Sequence, residues 1–391
     1  MSSDYVFLSI LIPSYQGESV VRAAIESALI QKDHEIEVIL SLDGEINIDF
    51  YSNLYPDKRL RVFGHQNRLG MLGNYKFLLS KARGEWITII GQDDALLPFA
   101  TKSLRDSVIL FPRADILTSR RAYMFWPNPV GQNPLFRFIV PLSKAKLRLK
   151  STTRMLRKIE RGFVEYSEGP QLYTGSFVKR SLVESISALT CDEFYSYPIP
   201  DVSSSVNLLT SSKNYVYSKQ PLFLTGTSAL STGKRIELIL KSSSDNSKFD
   251  FLSETFLGSL NSSIKPGLGV FTDKTFYFYE ALLTRSNYSG VPRTAWALAS
   301  LRMTIRSNDQ NSINKHTLIN EIAHYNEIGY LNLLLKTITL RIFRKTLKIL
   351  RLIFGLTYFF RGRLFLVSRY SKKSFGPINE IQLIENIYHK I

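Results

Sequence analysis

The sequence predicts an α/β fold of the doubly wound kind, followed by an α-helical C-terminal region. Three observations predict it. Trp86-Ile-Thr-Ile-Ile90 is a continuous, β-branched apolar run, the pattern of a strand buried on both faces of a parallel sheet. Runs of this kind alternate with helical stripes as strand, helix, strand, strand, helix, strand over about the first 95 residues. From Lys234 to about Asn326 the apolar spacing is mainly helical instead.

The first strand is Phe7-Leu-Ser-Ile-Leu-Ile-Pro13, ended by its proline. A polar loop from Ser14 to Ser19 leads into Val20–Gln31, where Val21, Ala24, Ile25, Ala28 and Leu29 make one helical stripe. Glu35 to Leu42 is the second strand, followed at once by Asp43-Gly44, and Leu60–Phe63 is a short third. The turn Asn67-Arg-Leu-Gly70 enters a helix around Asn74–Ala82, and the Trp86–Ile90 strand follows. Gly91 ends that strand, and Pro98 suits the first turn of a helix. Ala114–Thr118 reads as a strand, Arg120–Lys150 as irregular, Ser151–Arg161 as a short basic helix. Gln171–Val178 reads as a strand and Ser181–Leu189 as a helix. After Pro198-Ile-Pro200, Asp201 suits the N-cap of a helix to about Leu209. Tyr215–Tyr217 and Leu222–Thr225 read as short strands. The predicted units are 1–233, with halves 1–115 and 116–233, a helical region 234–330, and a segment 331–391.

Ligands of open α/β sheets bind beyond the carboxyl ends of the strands. Tyr15, Asp43 and the pair Asp93-Asp94 all sit at such ends and should converge on one crevice. Neighbouring carboxylates repel unless a cation intervenes, and few oxygen ligands suit Mg²⁺ or Mn²⁺ bridging to a substrate diphosphate. The plain alternative is a solvated turn. The small-residue loop Thr225–Gly233 suits wrapping a phosphate through backbone N–H groups and hydroxyls, or else is a flexible linker.

Charge is distributed unevenly. Ten Lys/Arg and no acid lie between Asp115 and Glu160, and eleven with no acid between Glu327 and Glu380. Together these exceed the net charge of +17, so the rest of the chain is slightly acidic. In the second stretch Arg341, Arg344, Lys345, Lys348 and Arg351 share one helix face, with Leu340, Phe343, Leu347, Leu350 and Phe354 on an apolar side. That is the pattern of a helix lying in the plane of an anionic membrane; a core-facing helix with a solvated basic face is the alternative. No window of about 18 apolar residues predicts a spanning helix. No signal peptide is expected, and the lone Cys191 fits a reducing compartment without disulfides or a Cys-based zinc site.

Ile12-Pro-Ser-Tyr15, Val38-Ile-Leu-Ser-Leu-Asp-Gly44, Asn67-Arg-Leu-Gly70 with Asn74, and Ala82–Pro98 stand in the order and spacing that resemble family-2 glycosyltransferases. The resemblance covers the first 100 residues and extends more faintly to about residue 233. It implies a GT-A fold, a Rossmann-like mixed sheet with helices on both faces. It implies an inverting, Mn²⁺- or Mg²⁺-dependent transferase acting on a nucleotide-sugar donor, UDP-sugar favoured. Pro13, Tyr15, Asp43 and Asn67 then belong to the nucleotide site, with Asp43 accepting from the base. Asp93 and Asp94 form the metal and ribose-diphosphate motif. Gln92 stands where many relatives carry a further Asp, as a candidate sugar or ribose contact. Asp201 is implied as general base, with Asp192 and Glu193 as rivals. Thr227, Ser228 and Ser231 resemble a loop closing over the diphosphate. With the basic C-terminal face, the expected acceptor is a glycan, lipid-linked at the cytoplasmic side of the cell membrane, as in O-antigen or capsule assembly. A second copy of the chain through the helical tail is a further expected partner.

Two other classes compete. A nucleotidyltransferase would want a Gly-rich basic loop after the first strand, where this chain has Pro13-Ser-Tyr-Gln-Gly17. A nucleic-acid-binding or scaffold protein would suit the net charge, but the bases cluster with long aliphatics rather than stacking aromatics, so no nucleic acid is expected.

Overall fold

A computed structural model of the chain describes residues 5–231 apart from 45–46, 128–135, 142, 144, 161–163, 191–193 and 197–198, together with 365–370 and single residues or short runs between 278 and 346. The rivals Asp192 and Glu193, the basic residues Arg341, Arg344, Lys345, Lys348 and Arg351, and nearly all of the 234–330 region lie outside the described residues.

The first four strands are β1 (Leu8–Ser14), β2 (Ile36–Asp43), β3 (Leu60–His65) and β4 (Trp86–Ile89). They pair in parallel in the order β3-β2-β1-β4. Between them run α1 (Val21–Leu29), α2 (Ile48–Leu54) and α3 (Gly70–Lys81). Side chains alternate across a strand, and both faces are covered here. Ile10, Ile12, Val38, Leu40 and Leu42 pack with Val21, Ala24, Ile25 and Ala28 of α1. Leu11, Ile39, Ile87 and Ile89 pack on the other face with Tyr75 and Leu78 of α3. Double burial is why these strands read as continuous apolar runs.

After β4 the chain makes a two-residue strand β5 (Ala95–Leu96), and only then α4 (Ala100–Leu110). Pro98 therefore precedes the helix instead of opening it. β6 (Ile116–Ser119), β7 (Ala122–Phe125), β8 (Phe136–Pro141) and β9 (Leu147–Ser151) follow, so the stretch expected to be irregular supplies three strands. Next come α5 (Thr152–Glu160), a 3-10 turn at Tyr166–Glu168, β10 (Ser176–Lys179), α6 (Arg180–Thr190), α7 (Pro200–Ser211), β11 (Asn214–Ser218) and β12 (Phe223–Thr227). The Gln171–Val178 run is thus strand only from Ser176. Asp201 is not the N-cap of α7: Ile199 is, and Pro200 takes the first helical position its missing N–H suits.

The main sheet has eight strands, β3-β2-β1-β4-β10-β6-β11-β9, and mixes parallel with antiparallel pairs. α6 and α7 add Val183, Ile186 and Leu208 to the α3 face. This is the mixed α/β class the sequence predicts, with helices on both faces. A second sheet, β13-β8-β7-β12-β5, has its own small core of Ala95, Leu97, Ala122, Met124, Phe138, Val140 and Leu224. Its outer strand β13 (Phe365–Tyr370) brings the C-terminal segment back to pair antiparallel with β8.

One buried charge cluster braces the amino ends of the parallel strands. Glu37 of β2 accepts from the Ser9 hydroxyl (2.7 Å), the Arg83 N–H (2.7 Å) and the Arg61 guanidinium (2.8 Å). Burial pushes its pKa up, yet these hydrogen bonds outweigh burial and leave it below the usual carboxylate range.

Candidate active site

The carboxyl ends of β1, β2 and β4 lie side by side, and the predicted residues gather there. Asp43 closes β2 and is buried; its Oδ1 accepts from the Leu69 N–H at 2.6 Å. That bond fixes the loop carrying Asn67 and Arg68 into α3. Asn67 is exposed on this loop. The Arg68 guanidinium lies over the Tyr15 ring, 4.2 Å from its centroid, within cation–π range. Gly44 has φ +78°, and a Cβ there would meet Arg68 Cγ at 3.1 Å. Tyr15, Asp43, Gly44 and Arg68 therefore form one wall. Arg68 was not singled out from the sequence, although it stands inside the quoted Asn67–Gly70 turn.

Gln92 is bound to the chain itself. Its Oε1 accepts from the Ser14 hydroxyl and the Tyr15 N–H, each at 2.9 Å, and its amide donates to the Tyr15 carbonyl at 3.3 Å. Gly17 passes so close that a Cβ would overlap Gln92 Oε1 and press on Ser14 Oγ. In this arrangement Gln92 holds the end of β1, which carries Pro13, and Tyr15 just beyond it.

Asp93 and Asp94 differ sharply. Asp94 is 1 % exposed. Its Oδ1 accepts from the Gly226 N–H (2.6 Å), and its Oδ2 from the Gly91 N–H (2.7 Å) and the Thr174 hydroxyl. Burial, and then the charge of Asp93, push its pKa up to about 7. Asp93 Oδ2 accepts from the Ser228 N–H (3.2 Å), the Ser228 hydroxyl (2.8 Å) and the Ser231 hydroxyl, and its carbonyl accepts from the Trp126 indole at 2.8 Å. Among the described residues no donor meets Asp93 Oδ1. A Cβ on Gly226 would overlap the Asp93 carbonyl oxygen, so only glycine permits β12 to cross here.

Among the described residues no group of three His, Cys, Asp or Glu is gathered for a metal. Mg²⁺ and Mn²⁺ take one or two carboxylates with substrate phosphates and water, so one open carboxylate oxygen is a sufficient protein share. Asp93 fits that share through Oδ1. Both oxygens of Asp94 are already engaged, by two backbone N–H groups and a hydroxyl. Thr227 ends β12 in its pairing with Phe125, so the small-residue loop begins only at Ser228.

Asp201 stands in the first turn of α7 and accepts from the Tyr166 hydroxyl at 2.7 Å. Tyr166 is buried and its ring stacks on Phe278, with centroids 5.5 Å apart. Burial first, and Asp201 next, hold the Tyr166 pKa well above its usual value, so it stays a donor. Tyr173 is packed close to Tyr75, with ring centroids 6.3 Å apart. Burial first, and then the charge of Asp94, hold the Tyr173 pKa well above the usual value, so it stays protonated. Thr174, Gly226, Tyr166 and Tyr173 carried no sequence signal of their own beyond lying in or near segments read as strand or loop.

Residues 9–154 match the model of glycosyl transferase family 2. An uncharacterized glycosyltransferase of Haemophilus influenzae is 33% identical over 90 residues, 22% of this chain and 36% of that protein. A GalNAc(5)-diNAcBac-PP-undecaprenol beta-1,3-glucosyltransferase of Campylobacter jejuni is 32% identical over 101 residues, 25% of this chain and 33% of that one. The matched stretches thus span about a third of the length of these two relatives. Among solved structures, S. aureus TarS 1-349 in complex with UDP-GlcNAc is 16% identical, with 82% of this chain and 87% of that chain covered and a TM-score of 0.42. The segment that builds the parallel strands, the Asp43 wall and the Asp93-Asp94 corner is thus the segment that matches glycosyl transferase family 2.

Proposed function

We propose that the chain transfers a sugar, with inversion, from a nucleotide-diphosphate donor to a glycan hydroxyl. The observation that carries this reading is the Asp93-Asp94 corner standing beside the Tyr15–Asp43–Arg68 wall at the strand ends of a segment that matches family 2. The base of the nucleotide would lie against the Tyr15–Arg68 wall, near Asp43. An acceptor at that point suits the ring N–H of uracil or guanine. A UDP-sugar is the proposed donor.

Asp93 would hold Mn²⁺ or Mg²⁺ through Oδ1, and the ion supplies charge neutralisation of the leaving diphosphate. Asp94 keeps the corner rigid and Ser228 and Ser231 hold the Asp93 carboxylate in place. Asp201, oriented by Tyr166, takes the proton of the attacking acceptor hydroxyl. The hydroxyl oxygen bonds to the anomeric carbon as the bond to the nucleotide diphosphate breaks on the opposite face.

The acceptor is proposed to be a glycan on a lipid diphosphate, met at the inner face of the cell membrane. Two things support this. One curated relative is named for a polyprenyl-diphosphate-linked acceptor. And Leu331, Leu335, Ile338 and Ile342, spaced four, three and four apart, are all exposed just before the basic face at 341–351. Among the described residues no helix is long and apolar enough to cross a membrane.

Calorimetric titration of UDP and GDP, each with Mn²⁺ and with EDTA, tests the donor half. UDP is expected to bind with the metal and to lose that binding in Asp93→Ala. A folded protein that binds neither nucleotide sinks the reading. Deleting 331–391 should release the chain from anionic liposomes, and undiminished binding would remove the membrane contact.

A further inference from the structure

The far edge of the main sheet is cationic, and neither the donor wall nor Asp201 uses it. β9 is the edge strand, paired antiparallel with β11 so that Arg148 faces Tyr217 and Lys150 faces Tyr215. Residues two apart on a strand share a face, so Arg148 and Lys150 stand together. α5 follows without a break and packs on both strands, with Arg154, Arg157 and Lys158 exposed on it. Lys219, just past β11, is bound by its N–H to the Lys146 carbonyl at 3.1 Å.

Lys150 is half-buried, and its Nζ sits 3.1 Å from the Tyr217 ring centroid. Among the described residues, Arg148, Lys150 and Lys158 have no carboxylate within ion-pair distance. Glu168 is the acid whose field reaches Lys150, against Lys158, Arg148 and Lys219. The contrast with the rest of the domain is plain. Arg59 pairs with Asp57, Arg61 and Arg83 with Glu37, Arg105 with Asp33 and Glu35, and Arg180 with Glu184. Burial, followed by the repulsion of Lys158, lowers the Lys150 pKa to about 8. A half-buried ammonium among like charges is unfavourable until an anion joins it.

We propose that Arg148, Lys150, Lys158 and Lys219 bind a phosphate ester carried by the acceptor, at a place separate from the donor diphosphate. This deepens the transferase reading and rests on it for the word acceptor. The two places are joined by α7. Asp201 is in its first turn, and beyond its last the Lys213 carbonyl accepts from the Thr152 N–H at 3.1 Å, directly after β9. Twelve helical residues span roughly 18 Å. A glycan of a few sugars would reach from a phosphate on the β9 edge to a hydroxyl at Asp201. A guanidinium and three ammonium groups beside the Tyr217 ring give an oxyanion several charge-assisted hydrogen bonds.

Inorganic pyrophosphate in EDTA is the probe, titrated into the full chain. Arg148→Gln with Lys150→Gln should weaken it by about tenfold or more, the loss of one or two charge-assisted bonds. Lys58→Gln with Lys102→Gln removes equal charge from exposed positions outside this edge and should leave binding unchanged. Equal losses in both pairs, or none in the first, overturn the site. If Lys150→Gln prevents folding, the exposed Lys158→Gln alone should still weaken pyrophosphate several-fold. The double variant should titrate UDP and Mn²⁺ as the wild type does. If UDP fails to bind at all while pyrophosphate behaves as expected, the transferase reading falls and the phosphate site stands. Sedimentation with phosphatidylglycerol vesicles separates the sources. Loss of vesicle binding with undiminished pyrophosphate affinity would make the edge a lipid contact and overturn the proposal.

Discussion

Asp93 and Asp94 are neighbours in sequence with separate work in the structure, and substitution should part them. In Asp94→Ala the acceptors of the Gly91 N–H, the Gly226 N–H and the Thr174 hydroxyl vanish together. The site is 1 % exposed, so bulk water does not replace them. Each buried N–H left unsatisfied costs about 1–3 kcal/mol. Removing a carboxylate whose charge burial disfavours offsets part of this, and about 3 kcal/mol of lost stability remains. Asp94→Asn should cost less, about 1–2 kcal/mol. It keeps Oδ1 for Gly226, turns its amide to Thr174, and leaves Gly91 with the Thr174 hydroxyl at 3.4 Å. Asp93→Asn should change stability by about 1 kcal/mol or less, since its hydroxyl partners on Ser228 and Ser231 can rotate. Urea unfolding followed by tryptophan fluorescence measures all three, with UDP–Mn²⁺ titrations in parallel. Asp93→Asn should unfold near the wild type and lose metal-dependent affinity. Asp94→Ala with a wild-type unfolding midpoint would refute the bracket assigned to Asp94.

Tyr166→Phe removes one hydrogen bond to Asp201 and should lower kcat roughly tenfold with donor KM little changed, while Asp201→Asn should cost about 10²–10⁴-fold; steady-state kinetics with varied acceptor separates them. Gly17→Ala should weaken nucleotide binding with little change in overall fold, because its Cβ displaces Gln92 and with it the Tyr15 loop; titration of UDP reads this. Glu37 has a folded pKa below the usual range, so its contribution is present above the unfolded value of about 4.3 and is lost as pH falls through the folded one. Glu37→Gln should remove that acid-limb dependence and cost about 3 kcal/mol at pH 7, measured by unfolding across pH 3–7.

What could be read from the sequence follows from how local the signal is. β1, β2 and β4 are buried on both faces, so composition alone marks them. α2 escaped because its seven residues bury only Tyr51 and show no period. The 120–150 stretch looked irregular because its strands are short and mix bases and prolines with apolar residues. Tyr15, Asp43 and Asp93 were found because strand ends are visible in sequence. Their partners were not. Thr174 lies 80 residues from Asp94 and Gly226 lies 132 residues away, and only the folded chain brings them together. Asp201 was located as an acid at a helix start, but its orienting Tyr166, 35 residues earlier, stands in no pattern.

The Asp93-Asp94 corner does more than end a strand. The chain leaves the main sheet at the end of β4 and enters the second sheet at β5 within six residues. β12 pairs with β5 and brings Gly226 over the Asp93 carbonyl, while Thr174 reaches Asp94 from the segment before β10. Three distant parts of the chain are thus tied through two carboxylates. The Tyr15–Arg68 wall hangs on β1 and β2 of one sheet, and the Ser228–Ser231 loop on β12 of the other. A shift of Asp93 as its open oxygen takes up a cation would therefore move against Ser228 and Ser231, so the loop should respond to nucleotide before any acceptor arrives. Protection of the Ser228 and Ser231 amides in hydrogen exchange should change with UDP and Mn²⁺ together and with neither alone. No change would mean that the corner is rigid and the loop only a prop.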